Sequence, residues 1–204
     1  MTRKQGEPTA IERARRAQIV RAAIDTIAEM GYARASFSAI ARTAGLSSTG
    51  LISYHFASKQ CLMAEVMRTI LAEFTAFVAA RSDHGTPAGR LAAFVTANCE
   101  FMQGHRNHLV TMLDLQSAAP DTESRDRQAN SDRAKLAELL TDGQHEGDFR
   151  DFDPDLMAGF ILSLRNGVIL RAASQPGFDL AACTDELLTT IQRATSPQPA
   201  PPTA

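Results

Sequence analysis

Apolar residues recur at three- and four-residue spacing along almost the whole chain, and the alternation of a half-buried strand is nowhere sustained. The pattern predicts an all-α fold of about nine helices. Thr9 is placed to cap a first helix running to about Met30, with Ile11, Ile19, Ala23 and Ile27 on its inner face and Gly31 as its stop. Ser36 caps a second, roughly 37–43, anchored by Phe37, Ile40 and Ala41, and Ala44-Gly45 makes a turn. Ser47 or Ser48 caps a third helix through about His55, with Leu51, Ile52 and Phe56 inward. A fourth begins near Ser58 and keeps Leu62, Val66, Ile70, Phe74 and Phe77 or Val78 on one face.

The pattern breaks over residues 82–87 and resumes. Leu91, Phe94, Val95, Cys99 and Met102 define a fifth helix, and Leu109, Met112, Leu113 and Leu115 a sixth. Pro120 and the polar run to residue 132 mark a boundary before a seventh, through Leu136, Leu139 and Leu140. Asp153-Pro154 opens an eighth over 154–173, apolar nearly all round. Within it Gly159, Ser163 and Gly167 lie four residues apart, and small residues let another helix approach closely. A last helix, about 179–194, shows Leu180, Cys183, Leu187 and Ile191. From Ser196 onward four prolines predict a disordered tail.

The stretch 40–62, IARTAGLSSTGLISYHFASKQCL, is a short helix, a glycine turn, a second short helix rich in hydroxyls, and Lys59 opening a third. That is the build of a helix-turn-helix reader, whose second helix enters a major groove roughly 12 Å wide. Charge agrees with it. Residues 1–60 carry nine Arg or Lys against four acids, +5, and the remainder carries −7. A basic module joined to an acidic one implies that only the first meets a polyanion. Arg13, Arg15, Arg16 and Arg21 also fit a plain solvated helix face, so charge alone does not decide.

The remaining composition excludes other classes. A 44% hydrophobic content is ample for a core. No apolar run approaches the roughly 18 residues of a membrane span, and the N-terminus (Arg3, Lys4, Pro8) has no apolar signal segment, so a cytoplasmic protein with no membrane partner is expected. Cys61, Cys99 and Cys183 are widely spaced and form neither a disulfide framework nor a zinc knuckle. There is no GxSxG, P-loop or GxGxxG, and His145-Glu146 lacks the second histidine of a zincin. His105 and His108 stand three apart, a metal-compatible spacing that reads better as a helix-break pair. Cys61 and His55 lack a third group to orient them as a nucleophile pair. No enzyme activity, cofactor or metal is expected.

In its N-terminal 50 or so residues the chain resembles the TetR (tetracycline-repressor-like) family of bacterial transcription regulators. The resemblance runs through Ile19, Ala22-Ala23, Gly31-Tyr32, Ser36, Ile40-Ala41, Ala44-Gly45, Gly50, His55-Phe56, Ser58-Lys59 and Leu62. Gly147-Asp148-Phe149 followed by Asp153-Pro154 is similar to that family's entry into its dimerisation helices, and residues 80–140 fall where its ligand domain varies. Two departures stand out. Ser53 occupies the place where the family most often has a phosphate-reaching Tyr, with Tyr54 next to it, and the turn 45–50 is one residue longer than the commonest form.

The resemblance implies three domains: 1–60 a DNA-binding domain, 61–195 a ligand-binding and dimerisation domain, and 196–204 a tail. Lys59, at a helix start, suits a phosphate. Ser36, Ser47 and Ser48 fit both capping and phosphate donation, and Thr49, Gly50, Ser53 and Tyr54 are the groove candidates. His55 fits phosphate contact or helix-end packing, and Arg3 and Lys4 fit a mobile arm or an idle tail. Phe74, Phe94, Phe101, Met102, Met112, Leu115 and Phe160 suit an apolar effector cavity as well as plain core, with His105, Asn98, Gln116, Arg165 and Asn166 as residues that could orient a ligand and Arg165 fitting a carboxylate. Arg165 also fits a dimer seam. Leu156, Gly159, Ser163, Gly167, Leu170, Leu180, Leu187 and Ile191 are expected at that seam, in a four-helix bundle about a two-fold axis. The expected function is a ligand-responsive repressor, homodimeric on a near-palindromic double-stranded operator and answering a small hydrophobic effector. The alternative is a helical small-molecule sensor that has lost DNA binding.

Overall fold

The computed structural model describes residues 9–82, 85–118, 122–175 and 177–197. Arg3, Lys4, Pro120 and most of the proline tail lie outside them. The described residues form nine α-helices and no strand: α1 (Ala10–Met30), α2 (Phe37–Thr43), α3 (Gly50–His55), α4 (Lys59–Ser82), α5 (Pro87–Gly104), α6 (Arg106–Ala118), α7 (Thr122–His145), α8 (Pro154–Ser174) and α9 (Leu180–Thr195). They divide into two compact units, Met1–Glu73 with Asn107–Pro120, and Phe74–Arg106 with Asp121–Ala204.

In the first unit, α1 starts on a capping box. The Thr9 hydroxyl accepts from the Glu12 N–H at 3.2 Å, and the Glu12 carboxylate accepts from the Thr9 N–H at 2.7 Å. It ends at Gly31, whose φ of +84° is open to glycine and strained for other residues. Ile19, Ala23, Ile24 and Ile27 meet Ile40, Ile52, Phe56, Leu62 and Val66 in one buried cluster. Two expected inward residues are not there: Ile11 is 79% exposed, about two turns before the core begins, and Leu51 stands at the surface beside the fully buried Ile52.

Helix α6 completes this unit. Leu115 is buried in its core and Met112 packs against it. Thr111, fully buried, donates to the Ile24 carbonyl at 2.9 Å, and Asn107 donates to the Asp25 carboxylate at 2.9 Å. The Asp114 carboxylate accepts from the Tyr32 N–H just past the end of α1. The compact unit carrying the reader is thus larger than residues 1–60.

In the second unit, α5, α8 and α9 each open on a side-chain cap, from Thr86, Asp153 and Asp179, two of them with proline in the first turn. α7 packs along α8 and α5 along α9 around Leu91, Val95, Cys99, Leu136, Leu140, Phe149, Ile161 and Leu162. Where a boundary was expected up to residue 132, α7 is already helical from Thr122. The run is polar, yet its Arg, Gln, Glu and Ala are good helix formers. Leu187 and Ile191 are buried in this core, which takes them away from the expected dimer seam, and the half-buried Leu180 packs against it. α9 has a single apolar stripe, and its own chain buries the centre of it at Leu187 and Ile191. By length and composition α8 is apolar enough to cross a membrane, which corrects the expectation that no run approaches that length. Its inner face nevertheless packs as a core helix along α7.

Candidate nucleic-acid interface and effector site

The reading helix α3 is short and held at one buried point, Ile52, so almost everything else on it faces outward. Gly50, Ser53 and Tyr54 are exposed, as are Ser47 and Ser48 in the turn before it. The turn itself is set by Gly45 at φ +64° and by the Leu46 N–H donating to the Ala41 carbonyl at 2.8 Å. Neither Ser47 nor Ser48 caps α3. The N-cap is Thr49, in αR geometry and without a side-chain cap bond, because the chain enters the helix already coiled instead of extended. Both serine hydroxyls are thereby left at the surface. Ser36 does cap α2, accepting from the Ala39 N–H at 3.2 Å, while remaining exposed.

The far end of α3 is clamped by Arg16 of α1. Its guanidinium donates to the His55 carbonyl at 2.6 Å, lies 4.4 Å over the Phe56 ring and approaches Glu65 of α4 at 3.8 Å. A cation at a helix C-terminus answers both an orphan carbonyl and the helix dipole. Gln18, also of α1, donates to the Ala44 carbonyl at 2.7 Å and pins the turn. Lys59 donates to the Tyr32 carbonyl at 2.8 Å and sits 4.2 Å over the Tyr32 ring, tying the start of α4 to the loop after α1. The Tyr54 hydroxyl donates to Glu12 at 3.4 Å across the same surface.

Burial, then the nearby Arg16 charge, push His55 below the ordinary histidine range, against a weaker pull from Glu12. Its uncharged form is therefore the one the fold favours. Stability from this source is fully present above the unfolded value of about 6.5 and is lost as pH falls through the lower folded value. His55→Gln is expected to lose less stability than the parent between about pH 7.5 and about pH 5 in denaturant melts. Equal losses in both proteins would clear His55 of the effect.

In the second unit, Phe74, Phe77, Phe101 and His105 form one aromatic cluster. Phe101 meets Phe74 and Phe77 edge-on at 5.3 and 5.4 Å and stacks on His105 at 4.2 Å. Met102 is buried on the same helix. Phe94 and Arg165 form a separate pair, with the guanidinium 5.9 Å from the ring. Phe160 joins neither group: it is 62% exposed on the outer face of α8, which corrects its assignment to the effector cavity.

Residues 19–66 match the bacterial regulatory proteins of the tetR family, and residues 87–195 match the C-terminal region of BetI-type transcriptional repressors. The chain belongs to the TetR family. It is 41% identical over 95 residues to the transcriptional regulator BetI of Stenotrophomonas maltophilia, which is 46% of this chain and about half, 48%, of that relative. With BetI of Ectopseudomonas mendocina it is 30% identical over 173 residues, covering 81% of this chain and 85% of the relative. Among solved TetR-like folds, a regulator from Saccharomonospora viridis in complex with choline superposes with a TM-score of 0.79 at 23% identity, over 91% of this chain and all of that one.

Within this TetR-family frame, the outer face of α8 is conspicuous. Leu156, Phe160, Leu164 and Leu170 are exposed at 59%, 62%, 46% and 57%, an unusual density of large apolar groups. Among the described residues no other part of the fold lies within 4 Å of a Cβ built at Gly159 or Gly167 beside them. Phe160 and Leu164 were not expected at the seam; their i, i+4 spacing from Leu156 is the signal that finds them. Arg16 and Gln18 were also not expected as site residues, since their partners are carbonyls 39 and 26 residues away, which periodicity does not reveal.

Proposed function

We propose that this chain is a ligand-responsive transcriptional repressor, acting in the cytoplasm as a homodimer on a near-palindromic operator, and not an enzyme. The observation that carries the reading is α3 itself: a six-residue helix anchored by Ile52 and the Arg16 clamp, with its hydroxyl-bearing face free. On this reading Thr49, Gly50, Ser53 and Tyr54 meet base edges. Ser36, Ser47, Ser48, His55 and Lys59 meet phosphates.

Leu156, Gly159, Phe160, Ser163, Leu164, Gly167 and Leu170 pair α8 with its counterpart in a second copy, holding two reading helices about 34–36 Å apart. Phe74, Phe94, Phe101, Met102, His105 and Arg165 take a small, largely apolar effector. The choline-bound regulator of the same fold supports a small organic ligand. An effector that prefers a conformation with the wrong spacing lowers DNA affinity by that preference and no more.

Binding to the DNA upstream of the chain's own coding region, compared with random DNA, tests the reading. Affinity for the former is expected to fall on the order of 10³-fold or more between about 50 and about 200 mM salt, with random DNA bound far more weakly. Lys59→Ala should weaken both. Equal, weak binding to the two DNAs, unchanged in Lys59→Ala, would favour a sensor that has lost its reader.

A further inference from the structure

Helix α8 turns Ala158, Ile161, Leu162, Val168 and Ile169 inward, and Arg165 falls on the same stripe. A guanidinium at such a position is costly unless its donors and its charge are both answered. The donors are partly answered. One terminal nitrogen donates to Asn98 Oδ1 at 3.1 Å, while Nε and the other terminal nitrogen donate to Asn166 Oδ1 at 3.2 and 2.8 Å. Asn98 is fully buried, and its amide nitrogen is committed to the Phe94 carbonyl at 2.7 Å, so its oxygen is fixed toward Arg165.

The charge is not answered in the same way. All three acceptor contacts are neutral amide oxygens, and among the described residues no carboxylate lies within ion-pair distance of Arg165. Burial pushes the guanidinium's pKa down, and the Asp132 charge on α7, at longer range, pushes it back up. One N–H on each terminal nitrogen remains for a further acceptor, and a guanidinium's natural acceptor is a carboxylate. The Phe94 ring beside it offers an apolar wall.

We propose that the second unit takes an effector bearing a carboxylate, and that Arg165, its fork fixed by Asn98 and Asn166, is the residue that holds it. This rests on the ligand-responsive reading above and adds the ligand's charge to it. Choline has no carboxylate and serves as a contrast.

The test uses the full chain with straight-chain carboxylates from acetate to dodecanoate, the corresponding primary amides, and choline. Thermal midpoint and operator binding are followed together. At least one carboxylate is expected to raise the midpoint saturably and release DNA, with its amide roughly tenfold weaker or worse. Arg165→Met should leave the ligand-free midpoint unchanged or higher and abolish the response. Arg165→Lys, which keeps the charge without the fork, should weaken it roughly tenfold or more, and carries the test if Arg165→Met fails to fold. The proposal is overturned if no carboxylate in the series shifts the midpoint, if amides or choline match the carboxylates, or if the variants respond like the parent. Failure of ligand-free protein to bind any operator would instead remove the repressor reading, and the midpoint shifts would still decide the carboxylate.

Discussion

Gly143→Ala is expected to destabilise the chain by roughly 3 kcal/mol, lowering the thermal midpoint by about 6–12 °C. Helix propensity alone points the other way, because alanine in the last turn of α7 gains up to about 1 kcal/mol over glycine. Packing decides the sign. A Cβ at position 143 would stand 2.2 and 2.3 Å from two carbons of the Phe149 ring and 2.9 Å from Cβ of Pro87. Phe149 is buried and its N–H donates to the Gly143 carbonyl at 3.1 Å, so the ring cannot swing into solvent to make room. Pro87 is buried on the other side, fixed in the first turn of α5. Combining Gly143→Ala with Phe149→Leu should recover part of the loss, a coupling that a double-mutant cycle measures directly. A neutral or stabilising Gly143→Ala would show that this contact yields.

The second large effect concerns assembly. Phe160→Arg is expected to convert a dimer to a monomer and to reduce affinity for a full operator by on the order of 10²–10⁴-fold, since each reading helix then binds on its own. Phe160 is exposed in the single chain, so the substitution should change its folding stability by no more than about 0.5 kcal/mol. Light scattering after gel filtration reads the assembly, and binding to full and half operators reads the coupling. A variant that stays dimeric with unaltered operator affinity would move the seam away from α8.

Much of this was legible in the sequence, and the misses have physical reasons. Three- and four-residue spacing placed the helices, and Gly31, Ser36 and the Asp153-Pro154 pair placed their ends, because these signals are local. The start of α3 was misread because a serine becomes a cap only if the chain reaches it extended, and Thr49 is already helical. α8 is apolar nearly all round and α9 carries one stripe, but neither pattern says which apolar residues the chain itself covers. Only packing shows that Leu187 and Ile191 are consumed internally while Leu156 and Phe160 are left over. That Met112 and Leu115 pack with the first unit was not legible for a similar reason, since helix membership in a unit is a long-range property.

The return of α6 to the first unit limits how this protein can be cut and recombined. The reader cannot be lifted out as a leading cassette: a fragment ending at residue 60, or even at 73, would leave behind Thr111, Asp114 and Leu115, and with them the partners of Ile24 and Tyr32. A chimera that exchanges DNA specificity would therefore have to replace the outward face of α3 in place, or carry Asn107–Pro120 along with the N-terminal segment.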